Sequence, residues 1–512
     1  QVGGRIVYVR LFIIIALITL LIACINFMNL STAQASRRMK EVGVKKTLGA
    51  NRRSLIYQHL SEAILLSMMS MGVALLLVYL FLPSFNEITG KDLTLRLGLT
   101  QVFIIGCIVV ITGFLAGSYP AFKLSSYNPV SILKGASPKS MWELFLRKGL
   151  VVFQFTISIV FIVGILVIRN QIDFLQTKNI GYTKENVVRF EIVSNIENPD
   201  ALLSEIKNLS TVHNVGFMNG EFLDGEDNNG GWEWPGKETE EAIVFQAPRM
   251  GYGAIETLDM ELVEGRTFSK SFNDDDTKIV LNESAVEYMG LEEPVGQVLQ
   301  KGNERQEIIG VVKDFQYGSL HKKVEPLIIR FRPYGNQIMV RIVKGSEHES
   351  LATIETIYKK FNPGYPFDYT FLDTDYNNLY KAEQRVADLS DFFALIAIIV
   401  SCLGLFGLAA FTAERRAKEI GIRKVLGSTV FGVVKLLSGE FIKMILLACL
   451  VAFPIAYLLA SNWLDGFGYA IELKWWFFGL AGVVTLLIGA STIGFQCFKA
   501  ATANPVNALK SE

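Results

Sequence analysis

A fourteen-residue signature occurs twice in this chain, each time directly after a long apolar run. This duplication constrains the fold more than any other feature. The first copy reads Arg37-Arg38-Met39-Lys40-Glu41-Val42-Gly43-Val44-Lys45-Lys46-Thr47-Leu48-Gly49-Ala50. The second reads Arg415-Arg416-Ala417-Lys418-Glu419-Ile420-Gly421-Ile422-Arg423-Lys424-Val425-Leu426-Gly427-Ser428. The offset is 378 throughout and eight positions are identical. One module has been used twice, and the apolar runs say that it is a membrane module.

Hydrophobic residues make up 51% of the chain and charged residues only 19%, with the apolar excess gathered into blocks. A membrane span needs about 20 mostly apolar residues. Seven runs qualify: roughly 11–30, 61–82, 101–121, 150–168, 391–412, 441–462 and 475–496. A cleavable secretory signal would be a single N-terminal run. The 49 basic and 49 acidic residues cancel, so nothing global points to nucleic acid. Locally the charge is uneven. Seven Lys or Arg and one acidic residue lie between Arg37 and Arg53. Basic residues also dominate 123–148 and 414–424. The positive-inside rule makes these loops, and the tail after Lys499, cytoplasmic. The loops near 83–100 and 463–474, and the long segment 169–390, then fall outside, and the sides alternate consistently.

This topology puts residue 1 outside. The second copy has an opening span and an external domain for which the first has no counterpart. The expectation is a chain whose missing upstream part carries them, with processing as the milder alternative. A second repeat supports the pairing: Phe122-Lys123, Asn128-Pro129-Val130 and Leu133-Lys134 match Phe498-Lys499, Asn504-Pro505-Val506 and Leu509-Lys510 at offset 376. Asn-Pro halts a helix, since proline lacks an N–H and restricts the residue before it. The expected domains are a first three-span module over 1–135, a cytoplasmic linker over 136–148, and a span with a stalk helix over 149–176. An extracytoplasmic α+β domain over 177–375 follows, and a second stalk helix with a three-span module over 376–512.

The outer segment lacks cysteine, all five being in or beside the spans, so its own core must hold it. Strand-like runs lie at 187–192, 242–246, 278–281, 307–312, 327–331 and 338–343, and 349–361 reads as an amphipathic helix. The segment 219–241, rich in Gly, Asn, Asp and Glu, reads as an exposed loop. At the domain's two entrances Ile165, Ile168, Ile172 and Leu175, and Leu379, Ala382, Val386, Leu389, Phe393 and Ile396, keep a three/four spacing. That seam predicts a two-helix stalk. Two ordinary helices packed on the domain's base is the alternative.

The repeated segment is the candidate functional site. Glu41–Lys45 and Glu419–Arg423 are i,i+4 pairs that favour a helix. Gly43 and Gly421 interrupt it, and Gly49 and Gly427 stand where a helix would stop. The expectation is a surface helix that bends at glycine and passes into the next span. Positive-inside charge with snorkelling side chains accounts for Lys and Arg alone. It does not require the Glu, Gly and Leu positions to recur. A docking role is therefore assigned to Arg38, Lys40, Glu41, Gly43, Lys46 and Gly49, and to Arg416, Lys418, Glu419, Gly421, Lys424 and Gly427.

These motifs resemble the permeases of the FtsX/MacB type, the membrane subunits of type VII ABC systems. Glu264-Gly265-Arg266-Thr267-Phe268, Asn282-Glu283 and Gly310-Val311-Val312-Lys313-Asp314-Phe315 look like landmarks of the MacB-type periplasmic domain. The resemblance covers essentially the whole chain. It implies a membrane α-helical fold with about seven transmembrane helices in two FtsX-like modules, and one α+β extracytoplasmic domain on a helical stalk. It also implies a permease of the bacterial inner membrane that passes the motion of a separate ABC ATPase on the cytoplasmic face to the periplasmic domain. Efflux or extraction of an antibiotic, peptide or lipoprotein would follow, with a periplasmic adaptor or outer-membrane protein as a further partner beside the lipid bilayer. A non-transporting scaffold of FtsX type that regulates periplasmic partners is the alternative.

No cofactor, metal site or enzymatic activity is expected of the chain itself. The nearest approach to a phosphate-binding loop, Gly231-Trp232-Glu233-Trp234-Pro235-Gly236-Lys237-Glu238, fails at Glu238 and lies outside. The runs carry no Asp, Glu, Lys or Arg in their depths, and Asp391 and Glu440 sit near ends. Asn26, Asn29 and Gln154 read as helix–helix hydrogen bonds. This argues against an ion-coupled carrier, which needs a midplane site. No two of the four histidines have ligand spacing, and Asp274-Asp275-Asp276 lacks the calcium-loop pattern and reads as a solvated turn.

Overall fold

The computed structural model describes residues 2–502 apart from 97, 127–140, 193–197, 221, 224, 226, 238–243, 273 and 321. The Asn-Pro repeats at 128 and 504 therefore lie outside the described residues. The chain opens with four helices, α1 (Val2–Thr47), α2 (Arg52–Thr89), α3 (Leu99–Ser126) and α4 (Met141–Thr177). Next come β1 (Val187–Glu191), α5 (Pro199–Lys207), β2 (Val212–Asn219), β3 (Asn228–Gly230), β4 (Trp232–Glu233), β5 (Val244–Gln246) and β6 (Arg249–Met250). They are followed by α6 (Ala254–Thr257), β7 (Leu262–Gly265), β8 (Lys278–Asn282), α7 (Glu283–Met289), β9 (Val298–Lys301), β10 (Glu304–Val312) and β11 (Ile328–Phe331). Then come β12 (Gln337–Ile342), α8 (Glu347–Phe361), β13 (Tyr369–Phe371) and α9 (Leu372–Leu379). Four more helices end the chain: α10 (Lys381–Arg415), α11 (Ala417–Val425), α12 (Val430–Leu464) and α13 (Trp475–Thr502). The residues fall into two compact units, one of Gln1–Arg169, Glu383–Asn462 and Glu472–Glu512, the other of Asn170–Ala382 and Trp463–Ile471.

The first unit is all helix, as it must be if its backbone is to satisfy itself in lipid. Six helices among the described residues are long and apolar enough to cross a membrane. Of the seven expected spans, the first is represented by the shorter apolar stretch Phe12–Met28 inside α1. The duplication is visible in where the helices start. Helices α2 and α12 begin at Arg52 and Val430, the 378 offset, and α3 and α13 begin at Leu99 and Trp475, the 376 offset. The two-residue difference thus falls between the start of α2 and the start of α3. Repeat-mates Leu55 and Val433 are both buried, as are Ala63 and Phe441.

Small residues let these helices approach closely. A Cβ on Gly113 of α3 would stand 2.9 Å from the Cα of Ile64, and one on Gly117 would stand 2.5 Å from the Cβ of Ala63. In the second copy a Cβ on Gly489, the mate of Gly113, would meet Ile445 Cδ1 at 2.5 Å. Polar groups inside the unit bridge helices. Asn26 Nδ2 donates to the Val400 carbonyl at 3.4 Å, and the hydroxyls of Ser158 and Ser401 lie 3.0 Å apart.

Helix α4 departs from the expected seam. One buried row steps by four through Val151, Phe155, Ile159, Val163, Val167, Gln171 and Leu175, and Gln154, Thr156, Ser158 and Ile172 are buried beside it. Ile165 and Ile168 are only half-buried. A four-residue row is one of the natural ridges of a helix surface, and Ile172 and Leu175 of the expected seam are buried as well. On α10 Val386 is buried but Ile396 is 45% exposed, and the small side chains of Ala394 and Ala397 take the inner positions. Arg169 of α4 pairs with Asp391 of α10.

The second unit is α+β. Its largest sheet runs β13-β1-β12-β2-β6-β11-β8-β10-β9-β4, with β7 also on β10. At one end β13, β1, β12 and β2 are mutually antiparallel, built from two split βαβ units whose helices α5 and α8 help close a shared core around Phe190, Phe217, Ile338 and Tyr358. Asn198 caps α5 by accepting from Ala201 N at 3.1 Å. The insertion between β2 and β12 supplies the rest of the sheet. The segment 219–241 is not a plain exposed loop: Trp232 is 1% exposed and packs with Phe245 and Leu299. The large central core includes Leu175 from the end of α4, and Tyr376 and Tyr380 from α9 and its end.

Replacing Gly113 by leucine should force α2 and α3 apart at a backbone contact. The expected loss is roughly 1–3 kcal/mol, read as a lower thermal midpoint in detergent. Leucine at Gly106, which has open space around it, should leave the midpoint unchanged. Equal midpoints for the two variants would contradict this packing.

Candidate functional site

The repeated segment folds in nearly the same way twice. In the first copy α1 runs through Gly43 without a break and ends at Thr47. In the second the helix breaks at Arg416, and α11 carries Gly421 inside it. Neither Gly43 nor Gly421 interrupts its helix as expected, and both are buried within helical turns. The reversals come at Gly49 and Gly427, with φ of +95° and +91°. Nothing lies within 4 Å of a Cβ built on either, so the backbone and not crowding calls for glycine. Ala50 N donates to Lys45 O at 2.9 Å, and Ser428 N to Arg423 O at 2.9 Å. These are the same six-to-one closure of a helix end in both copies.

The side chains repeat as well. Glu41 pairs with Lys45 and Glu419 with Arg423, each at 2.8 Å and each largely in solvent. Such pairs are worth only about 0.2–0.5 kcal/mol. Val42 and Ile420 point inward at 2% and 6% exposure. Val44 and Ile422 point outward at 49% and 51%, and Leu48 and Leu426 at 83% and 79%. Each copy therefore presents an i,i+4 apolar pair beside an ion pair, next to a turn fixed by glycine.

Other contacts hold each segment against its module. Lys46 Nζ donates to the Ser125 carbonyl at 2.8 Å, tying the end of α1 to the end of α3. Burial, and then Arg52 nearby, lower the pKa of its ammonium. Arg416 pairs with Glu440 on α12 at 2.8 Å, and Lys148 approaches the same carboxylate at 3.5 Å. An open cleft of about 160 Å³ between α1 and α2 is lined in part by Glu41, Lys45, Gln58, His59 and Glu62. The side chains of Arg38, Lys40, Lys418 and Lys424 lie outside the described residues. Sequence reasoning missed Val44, Ile422, Leu48 and Leu426 as exposed apolar groups, and Glu440 as the anchor of Arg416. The signal was available: Leu48 and Leu426 are identical at the 378 offset, and so are Glu62 and Glu440.

The three motifs of the outer domain meet at one node. Gly265 pairs with Gly310 across β7 and β10, where a Cβ on either would come within 2.3 Å of a carbonyl oxygen. Asn282 Nδ2 donates to Asp314 Oδ1 at 2.8 Å, and Asp314 N to Glu283 Oε2 at 3.1 Å. Arg266 lies 3.0 Å from buried Asp275. The acidic run is thus engaged by Arg266 and by Lys278, which approaches Asp274 at 2.9 Å and, by its hydrogen bond, lowers that carboxyl's pKa. It is not a solvated turn throughout, and no group of His, Cys, Asp and Glu among the described residues could hold a metal ion. Lys237 of the near phosphate-loop sequence donates to the Trp232 carbonyl at 2.9 Å and pairs with Glu233.

Comparison with known proteins matches two family profiles. The FtsX-like permease C-terminal family matches residues 13–129 and 392–505. The MacB-like periplasmic core domain matches residues 149–354. Among curated relatives, the macrolide export ATP-binding/permease protein MacB of Bdellovibrio bacteriovorus is 33% identical over 128 residues, which is 23% of this chain and 18% of that protein. The pyoverdine export ATP-binding/permease protein PvdT of Pseudomonas putida is 35% identical over 121 residues, with the same shares. The matched stretch thus spans under a fifth of the length of these relatives. The crystal structure of the periplasmic region of MacB from Actinobacillus actinomycetemcomitans aligns with a TM-score of 0.29 and 14% identity, covering 40% of this chain and 97% of that one.

Valine at Gly49 or Gly427 should cost roughly 1–3 kcal/mol, because a β-branched residue is strained at positive φ. Asparagine, which tolerates that region, should cost clearly less. Thermal midpoints that rank valine and asparagine together would contradict the assigned turns.

Proposed function

With its membrane helices matched to the FtsX-like permeases and its outer domain to the MacB-like periplasmic core, the chain belongs to the FtsX/MacB-type ABC transporter permeases, and we propose that its two repeated segments are the seats of a separate ATPase that drives the periplasmic domain. The chain is a multi-pass protein of the bacterial inner membrane. The mirrored surface carries the proposal. Positive-inside topology asks for Lys and Arg. It does not ask for Val44 and Leu48, and again Ile422 and Leu426, to stand exposed beside an ion pair at the same place in both copies. An exposed apolar pair rimmed by opposite charges is the anatomy of a protein interface, with an apolar centre and a polar rim.

In this reading each segment receives one ATPase subunit. Arg38, Lys40, Lys46, Arg416, Lys418 and Lys424 supply the positive charge of the two segments. Glu41 and Glu419 fix the facing side chains, and Gly49 and Gly427 hold the turn into α2 and α12. Closure of the ATPase pair then moves those helices. The relatives named for macrolide and pyoverdine export favour efflux as the outcome, and extraction of a peptide or lipoprotein uses the same mechanics. A periplasmic adaptor or outer-membrane protein would complete the path.

The test is ATPase stimulation by the full chain. Leu48→Asp and Leu426→Asp should each weaken association with the ATPase by about tenfold or more, as for a buried hot spot. Charge reversal at Glu41 or Glu419 should weaken it less. Wild-type stimulation by both leucine variants would remove the docking assignment.

A further inference from the structure

Gln171 is the one polar residue on the buried line of α4, and it is fully buried. A buried amide is costly unless its hydrogen bonds are made. Its Nε2 donates to the Tyr469 carbonyl at 2.7 Å, and its Oε1 accepts from Ile471 N at 2.9 Å. The amide therefore engages residues 469–471 as a strand edge would, giving one bond and taking one. Those residues lie in the loop between α12 and α13.

The loop is fastened at further points. Tyr469 Oη accepts from Val324 N at 3.1 Å, and the Lys178 ammonium stands 4.0 Å from the centre of the Tyr469 ring. Phe467 and Tyr469 pack against the large core of the outer domain. A Cβ on Gly468 would come within 2.5 Å of the Lys322 carbonyl carbon, so the loop backbone lies directly on this segment. Accordingly Trp463–Ile471 belongs to the same compact unit as Asn170–Ala382. A connector between two helices needs none of this and ordinarily runs over the surface.

We infer that this loop is a strap, a third attachment of the periplasmic domain beside α4 and α10, through which displacement of α12 and α13 reaches that domain. Gln171 is its positioning residue. The inference rests on the functional reading above, since the displacement is the ATPase's work. It adds a route that enters through the loop between α12 and α13 and is latched to α4 at Gln171, and it explains why a glutamine stands on an otherwise apolar row.

The experiment has two readouts on the full chain reconstituted with its ATPase. Hydrogen exchange reports the latch. Gln171→Leu, close in volume, should raise exchange at the Ile471 amide at least tenfold and leave the core amide of Val280 unchanged. A spin-label distance from Tyr288 in the outer domain to Leu99, which is exposed and lies outside both proposed seats, reports motion. It should shift on addition of ATP with vanadate in the wild type, and at most half as far in Gln171→Leu. Tyr469→Phe, which loses only the Val324 bond, gives an intermediate shift and guards against a folding artefact. If the wild-type distance ignores nucleotide, the functional reading fails and the strap falls with it. If the wild type responds and Gln171→Leu responds equally, or if Ile471 stays protected in Gln171→Leu, the strap alone is overturned.

Discussion

A backbone in lipid has no water to bond, so a membrane helix can reverse only after it has left the bilayer. In this chain each repeated segment makes that reversal with a glycine at positive φ, Gly49 in one and Gly427 in the other. The rest of the architecture follows from the two turns. They fix where α2 and α12 begin, and hence which faces of those helices meet the small residues of α3 and α13. They also leave the last turn of the preceding helix projecting into water, with its apolar pair uncovered. A charged ending alone would suffice to hold a topology. The exposed leucine in both copies is a stability cost to an isolated protein, and that cost is removed if another protein covers it.

The outer domain presents a contrast. Its most recognisable motifs hold the fold together. Gly265 and Gly310 allow two strands to approach, and Asn282, Glu283 and Asp314 tie a strand end, a helix start and the following loop. These residue types could suggest chemistry when met in a sequence. Their hydrogen bonds are spent on backbone and on one another.

Much of this was legible in the residues. The offsets of 378 and 376 predict the helix starts of the second copy from the first, because apolar blocks and glycine stops are local signals. Gly49 and Gly427 could be read as stops for the same reason. The signals that failed depend on partners distant in sequence. Gly43 and Gly421 look like interruptions locally, yet both lie buried within helical turns. The seam expected on α4 at Ile165 and Ile168 gives way to a step of four, since the neighbouring helices and not the sequence spacing decide which ridge is covered. The segment 219–241 looks soluble by composition, and only the fold reveals that Trp232 is its anchor. Gln171 reads as an ordinary stalk residue until the loop almost 300 positions later is laid against it.

The side of the membrane on which the repeated segments lie can be measured by thiol labelling. In a cysteine-free background, single cysteines at Leu48, Leu426 and Tyr288 would be challenged in intact spheroplasts with a membrane-impermeant thiol reagent. Labelling is expected at position 288 alone, with positions 48 and 426 reacting only after the membrane is opened. Labelling of 48 or 426 in sealed spheroplasts would put the repeated segments beyond the reach of any cytoplasmic ATPase and contradict the account.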